Sequence, residues 1–73
     1  MYYEVWDLLS RNLLDDFDTE EAALTFIREM LDGAPASEHD NFMLFRCQND
    51  DVTNVGQGRE LAERALRSVV PAA

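Results

Sequence analysis

Few groups in this chain are able to do chemistry, and each can be weighed in turn. His39 is the sole histidine and stands between Glu38 and Asp40. A histidine can ligate a metal or act as a general base. No second His or Cys lies nearby, so a solvated loop histidine is expected. Cys47 is the sole cysteine. A nucleophilic thiol needs an activating base and an electropositive, partly exposed setting. Nothing in the sequence supplies these, so Cys47 reads as a small buried hydrophobe. It also excludes an internal disulfide framework. The densest carboxylates lie in Asp15-Asp16-Phe17-Asp18-Thr19-Glu20-Glu21. Asp16, Asp18 and Glu20 have the alternating spacing that opens a calcium loop. The glycine position of that loop is Glu21 here and its final bidentate position is Ile27, so no dedicated calcium site is expected. Gly56-Gln57-Gly58-Arg59 opens a helical segment, where backbone N–H groups can hold a phosphate. Neither phosphate-loop spacing is present, so a tight turn and helix cap is expected. No catalytic residue, metal ligand or cofactor is assigned from these groups.

The chain has 73 residues, 15 of them acidic and 6 basic, for a net charge of −9. Arginine supplies all the basic residues. Residues 1–33 hold nine acids against two arginines, a net −7, so the charge is concentrated in the first half. This balance argues against unaided binding to nucleic acid or to an anionic membrane, whose phosphates would repel it. Hydrophobic residues make up 47%, too many for a disordered acidic tail. No apolar run approaches the roughly 18 residues of a spanning helix. The start, Met1-Tyr2-Tyr3-Glu4, has neither the basic nor the apolar region of a secretory signal. A cytoplasmic protein is expected. The length permits one domain, residues 1–73. A domain this small needs help in staying folded, and without disulfides or a metal cluster oligomerisation is the remaining aid.

The elements follow from periodicity. Tyr2–Leu9 is rich in aromatic and branched residues and reads as a strand. Ser10-Arg11-Asn12 is a turn in which Asn tolerates positive φ. Leu13–Phe17 reads as the returning strand. Ala22, Ala23, Phe26, Ile27, Met30 and Leu31 then recur at helical spacing. Asp18 followed by Glu21 has the form of a capping box, so a helix is expected from Thr19 to Asp32. Gly33 and Pro35 end it. A polar connector spans 33–41. Phe42–Cys47 is a strand, Gln48–Asp51 a turn and Val52–Val55 a short strand. Leu61, Ala62, Ala65, Leu66, Val69 and Val70 give a second helical stripe, ended by Pro71.

The two halves share one order, strand–strand–helix, and a shift of 39 residues superimposes them without a gap. The expected fold is therefore α+β: a ββα-ββα pseudo-repeat of units 3–31 and 42–70. A four-stranded antiparallel sheet would carry both helices on one face. Alternation divides the strand residues into two sets. One holds Trp6, Leu8, Leu13, Phe17, Met43, Phe45, Cys47 and Val52, and being the more apolar it is assigned to the helix-covered core. The other holds Tyr3, Val5, Leu9, Leu14, Phe42, Leu44 and Val55, with Asp7, Asp16, Arg46 and Thr53. A single bulge would exchange part of the two sets. The second set, left open, would form an apolar patch of the kind that marks an interface. Tyr3, Val5, Leu14, Phe42, Leu44 and Val55 are thus the expected dimer or partner face.

Trp6-Asp7, Asn12-Leu13 and Phe17-x-Thr19-x-Glu21-Ala22 together resemble a pattern in small uncharacterised bacterial proteins. That resemblance implies a compact α/β domain and brings no activity with it. The step from a strand into Asp18-Thr19-Glu20-Glu21-Ala22 is also similar to the strand-to-helix step of HicB-type antitoxins. The Pro-Asp-Leu-Pro-Gly-Cys stretch and DNA-binding segment of that family are absent. Two functions are expected from these features. The first is a non-enzymatic interaction domain that forms a homodimer through its sheet. The second is an antitoxin- or inhibitor-like protein that masks a basic protein partner with Asp15, Asp16, Asp18, Glu20 and Glu21. Helix-dipole stabilisation accounts for Asp18, Glu20 and Glu21; it leaves Asp15 and Asp16 over.

Overall fold

The computed structural model describes residues 1–33, 35 and 40–68. The order is β1 (Tyr2–Asp7), β2 (Asn12–Phe17), α1 (Glu20–Asp32), β3 (Phe42–Gln48), β4 (Asp51–Gln57) and α2 (Gly58–Ser68). The four strands make one sheet in the order β2-β1-β3-β4. Every neighbouring pair is antiparallel. The α+β class is as the sequence implies.

The two central strands place related positions side by side. Val5 lies opposite Leu44, and the two are 39 residues apart. Tyr3 pairs with Arg46 and Asp7 with Phe42, an arrangement a local two-fold between Val5 and Leu44 would produce. The outer strands break that regularity. Register shifts between Val5 and Trp6 on one side, and between Leu44 and Phe45 on the other. The shifts leave Leu14 and Val55 as the extra residues of two bulges.

The hairpins also depart from expectation. The left-handed residue of the first loop is Arg11, with φ 58°, while Asn12 already belongs to β2. Asp7 holds that loop together: its carboxylate accepts from the Leu9 N–H at 3.2 Å and from the Ser10 hydroxyl at 2.7 Å. Its carbonyl accepts from the Arg11 N–H at 2.8 Å. Asn49, with φ 55°, turns the second hairpin. β4 is longer than expected because Gly56 and Gln57 continue the strand.

α1 is capped by Thr19, not Asp18. The Thr19 hydroxyl accepts from the Ala22 N–H at 3.1 Å. This places the cap one residue later than the Asp18–Glu21 spacing suggested. The buried positions of α1 are Ala23, Leu24, Ile27 and Leu31, and those of α2 are Leu61, Ala62 and Ala65. Met30 and Leu66, which the helical stripes had placed inside, are exposed. The expected contributions of Val69, Val70 and Pro71 lie outside the described residues, as does most of the connector.

The face assignment is reversed. Tyr3, Val5, Phe42 and Leu44 lie under the helices, in one cluster with Ile27, Leu31, Leu61 and Ala65. Val5, Ile27, Leu44 and Leu61 are fully buried. Each such side chain contributes roughly 1.5–3 kcal/mol by leaving water. Tyr3, Val5, Phe42 and Leu44 therefore cannot form an open partner face. Leu14 stays outside at a bulge, and Val55 packs against the core margin with Phe17. Phe17 changed sides because the β2 bulge exchanges the faces of its two halves: it now lies opposite Tyr3, while Leu13 lies opposite Trp6.

Candidate functional site: the open face of the sheet

Alternation fixes what the uncovered face carries. β1 sends Tyr2, Glu4 and Trp6 away from the helices, and β3 sends Met43, Phe45 and Cys47. Beyond the bulges, β2 adds Leu13 and Asp16, and β4 adds Val52 and Asn54. The large apolar groups are accessible: Tyr2 and Leu13 are each 44% exposed and Val52 is 64% exposed. Trp6 and Phe45 meet edge to face at 6.5 Å, with an interplanar angle of 89°. The Trp6 indole N–H donates to a Glu4 carboxylate oxygen at 3.3 Å. Trp6, Met43 and Phe45 floor an open hollow of about 580 Å³, with Leu8 and Val52 on its walls. Glu4 and Arg11 also line it.

Few charges reach this face. The strands carry five acids: Glu4, Asp7, Asp15, Asp16 and Asp51. By register only Glu4 and Asp16 belong to the open side, and they lie directly opposite each other. Like charges so placed repel. Among the described residues Arg11 has no carboxylate within 4.0 Å; the ion pairs formed are Arg59–Asp40, Arg64–Glu20 and Arg64–Glu60.

Cys47 is buried, yet it stands apart from the core cluster, on the open side opposite Tyr2. Burial pushes its thiol up, while a hydrogen bond with Tyr2 works the other way. The same bond raises the Tyr2 phenol, with the nearby negative groups adding to it.

The other candidates disperse. Asp15 and Asp16 point to opposite sides of the sheet, Asp15 facing Val5 and Asp16 facing Glu4. Glu20 is held 3.4 Å from Arg64 of α2. Glu21 borders a second hollow of about 420 Å³, beside Phe17 and Phe26, whose rings lie 5.2 Å apart. The five acids fall within seven residues of sequence, but Asp16 lies on the opposite side of the sheet from Asp15. Gly56 belongs to β4, under α2. A Cβ there would stand 2.8 Å from the Arg64 guanidinium and 3.1 Å from Leu61. Arg59 faces Asp40 at 3.9 Å rather than a phosphate pocket. His39 lies outside the described residues. Among those described, no three His, Cys, Asp or Glu residues come together as a metal site.

Sequence reasoning had Trp6, Met43, Phe45 and Val52 as one set and hid them under the helices. The missed signal was Glu4, which shares their side of a central strand. Two helices over that side would strip water from a carboxylate, at a cost of several kcal/mol. In the other set Asp7 and Arg46 sit near strand ends, where water reaches them.

Comparison with known proteins gives no lead: no family model matches the chain, and no curated protein or solved structure is significantly similar to it.

Proposed function

We propose that this chain is a small, non-enzymatic, cytoplasmic protein-interaction domain that self-associates through the open face of its sheet. The observation that carries the reading is the aromatic and aliphatic floor of Trp6, Met43 and Phe45, left uncovered by the described residues, whose two helices occupy the other side. Three arguments support it. A hollow floored by Trp, Phe and Met has the composition of an interface centre, where those residues are enriched. The face spans about 20 Å in each direction, from four strands some 4.8 Å apart and about six residues at 3.3 Å. Stacking two such faces covers about 800 Å² in flat projection, and side-chain relief adds to this, toward the roughly 1,200 Å² at which specific interfaces begin. The open side is also poor in charge for a molecule of net −9. Two acidic copies repel less across a face that carries few of those charges.

No helix among the described residues is long and apolar enough to cross a membrane. The dispersal of Asp15, Asp16, Asp18, Glu20 and Glu21 gives no added support to the inhibitor-like reading. Sedimentation velocity at micromolar concentration tests the proposal. A species of twice 8.4 kDa, reduced to the monomer by Trp6→Ser, supports it. A monodisperse wild-type monomer overturns it. Stoichiometric co-purification of a small basic protein would instead return the inhibitor-like reading to the front.

A further inference from the structure

The open face carries an internal mismatch of charge. Glu4 and Asp16 oppose each other across β1 and β2, and no cation lies within 4.0 Å of either among the described residues. The Glu4 carboxylate accepts from the Trp6 indole at 3.3 Å and interacts with the neighbouring Cys47 thiol, whose pKa it raises; both partners are neutral, and a carboxylate has about four acceptor sites. Arg11 lies toward the other end of the same hollow. Among the described residues it too has no ion-pair partner, and it does not hang on a loose loop. The Asp7 carbonyl fixes its backbone, and the Asp7 carboxylate fixes the two residues before it. The hollow therefore has a negative end, an apolar centre at Trp6 and a positive end.

We propose that two copies stack open face to open face about a two-fold axis crossing the strands near Trp6 and Met43, so that Arg11 of each copy sits between Glu4 and Asp16 of the other. This rests on the self-association reading above and adds its orientation. A two-fold at the centre of the hollow exchanges the ends. Each guanidinium then meets a carboxylate pair, and its planar fork of five donors can serve both acids at once. Stacking in the opposite sense would set Glu4 and Asp16 against the same acids and waste Arg11. Trp6, Met43 and Phe45 meet their counterparts at the dry centre. The interface is isologous, so it closes at two copies and leaves no sticky end. Glu4 lies about 6.6 Å along β1 from Trp6, and Leu8, just past the strand's end, lies on the other side of Trp6. That spacing brings the Arg11 side chain, beyond Leu8, over the opposing acids.

A charge exchange followed by sedimentation velocity tests the orientation. Arg11→Glu alone, and Glu4→Arg/Asp16→Arg alone, should each weaken dimerisation by about tenfold or more. An equimolar mixture of the two should restore it, because both contacts of the mixed dimer are again complementary. Circular dichroism and thermal melts on each variant confirm that it folds. Full-strength dimerisation of Arg11→Glu, with Trp6→Ser still monomeric, would overturn the orientation and leave the self-association reading standing. So would a mixture that fails to recover. A dimer indifferent to Trp6→Ser and Arg11→Glu alike would mean pairing elsewhere, at a sheet edge for example, and would overturn both.

Discussion

The two faces of the sheet are made from the same strands by the same alternation, yet they serve opposite ends. Beneath the helices lie Tyr3, Val5, Phe42 and Leu44, aliphatic at the centre and dry. On the open side lie Glu4, Trp6, Met43 and Phe45, where large apolar groups are mixed with a carboxylate. The difference teaches that total apolar content does not decide which face is a core. What decides is whether every residue at the centre of the face tolerates loss of water. Val5 and Leu44 do; Glu4 does not. The sharpest way to break this comparison uses two adjacent residues of β3. Leu44→Ala should cost about 3 kcal/mol, near the whole stability of so small a domain. Phe45→Ser, one residue on, should change monomer stability by less than about 1 kcal/mol and abolish dimerisation. Urea unfolding of dilute protein measures the first effect and sedimentation the second. Equal losses of stability would erase the distinction between the faces.

Much of this architecture was legible. Both helices, all four strands and the partition of β1 and β3 into two sets follow from period and turn chemistry. Which set lies inside does not follow from apolar count: Glu4, on the more apolar side of β1, needs water and keeps that side open. The two bulges were not legible at all. Nothing in Leu13-Leu14-Asp15 marks Leu14 as the residue to be skipped, since register depends on pairing across strands rather than on local preference. The acidic cluster misled for a related reason. Asp15 and Asp16 are neighbours in the chain, and strand alternation alone separates them. The Thr19 cap was missed by one residue because Asp18 and Thr19 are both competent caps, and tertiary packing chose between them.

Smaller changes sharpen the contrast from the covered side. Gly56→Ala puts a methyl against the Arg64 guanidinium and Leu61, at the 2.8 and 3.1 Å separations found for a Cβ there. Moving Arg64 disturbs its contact with Glu20, which joins α2 to the start of α1. A loss of about 1–2 kcal/mol is expected. Arg64→Ala should relieve part of it, so the double variant should be less destabilised than the sum of the singles. Thr19→Ala should cost about 1 kcal/mol by removing the cap of α1, whereas Asp18→Ala should cost a few tenths. Chemical denaturation of these five variants beside the wild type gives these values. A larger loss from Asp18→Ala than from Thr19→Ala would move the cap back to Asp18.

The smallest effect belongs to the open side and appears with pH. Burial holds the Cys47 thiol above its ordinary value of 9.0, and the hydrogen bond to Cys47 holds the Tyr2 phenol above 10.0. Unfolding returns both groups to their ordinary values. Below pH 9 both states keep these protons, so the contribution to stability is fully present. Between the ordinary and the raised value the unfolded chain gives up a proton that the folded chain retains. Stability therefore falls as pH rises through that range and levels off once the folded chain has also lost the proton. Cys47→Ala should flatten this alkaline decline and leave stability near pH 7 largely unchanged, in thermal melts followed from pH 7 to 10.5. An unaltered decline in Cys47→Ala would mean that burial does not hold the Cys47 thiol above its ordinary value.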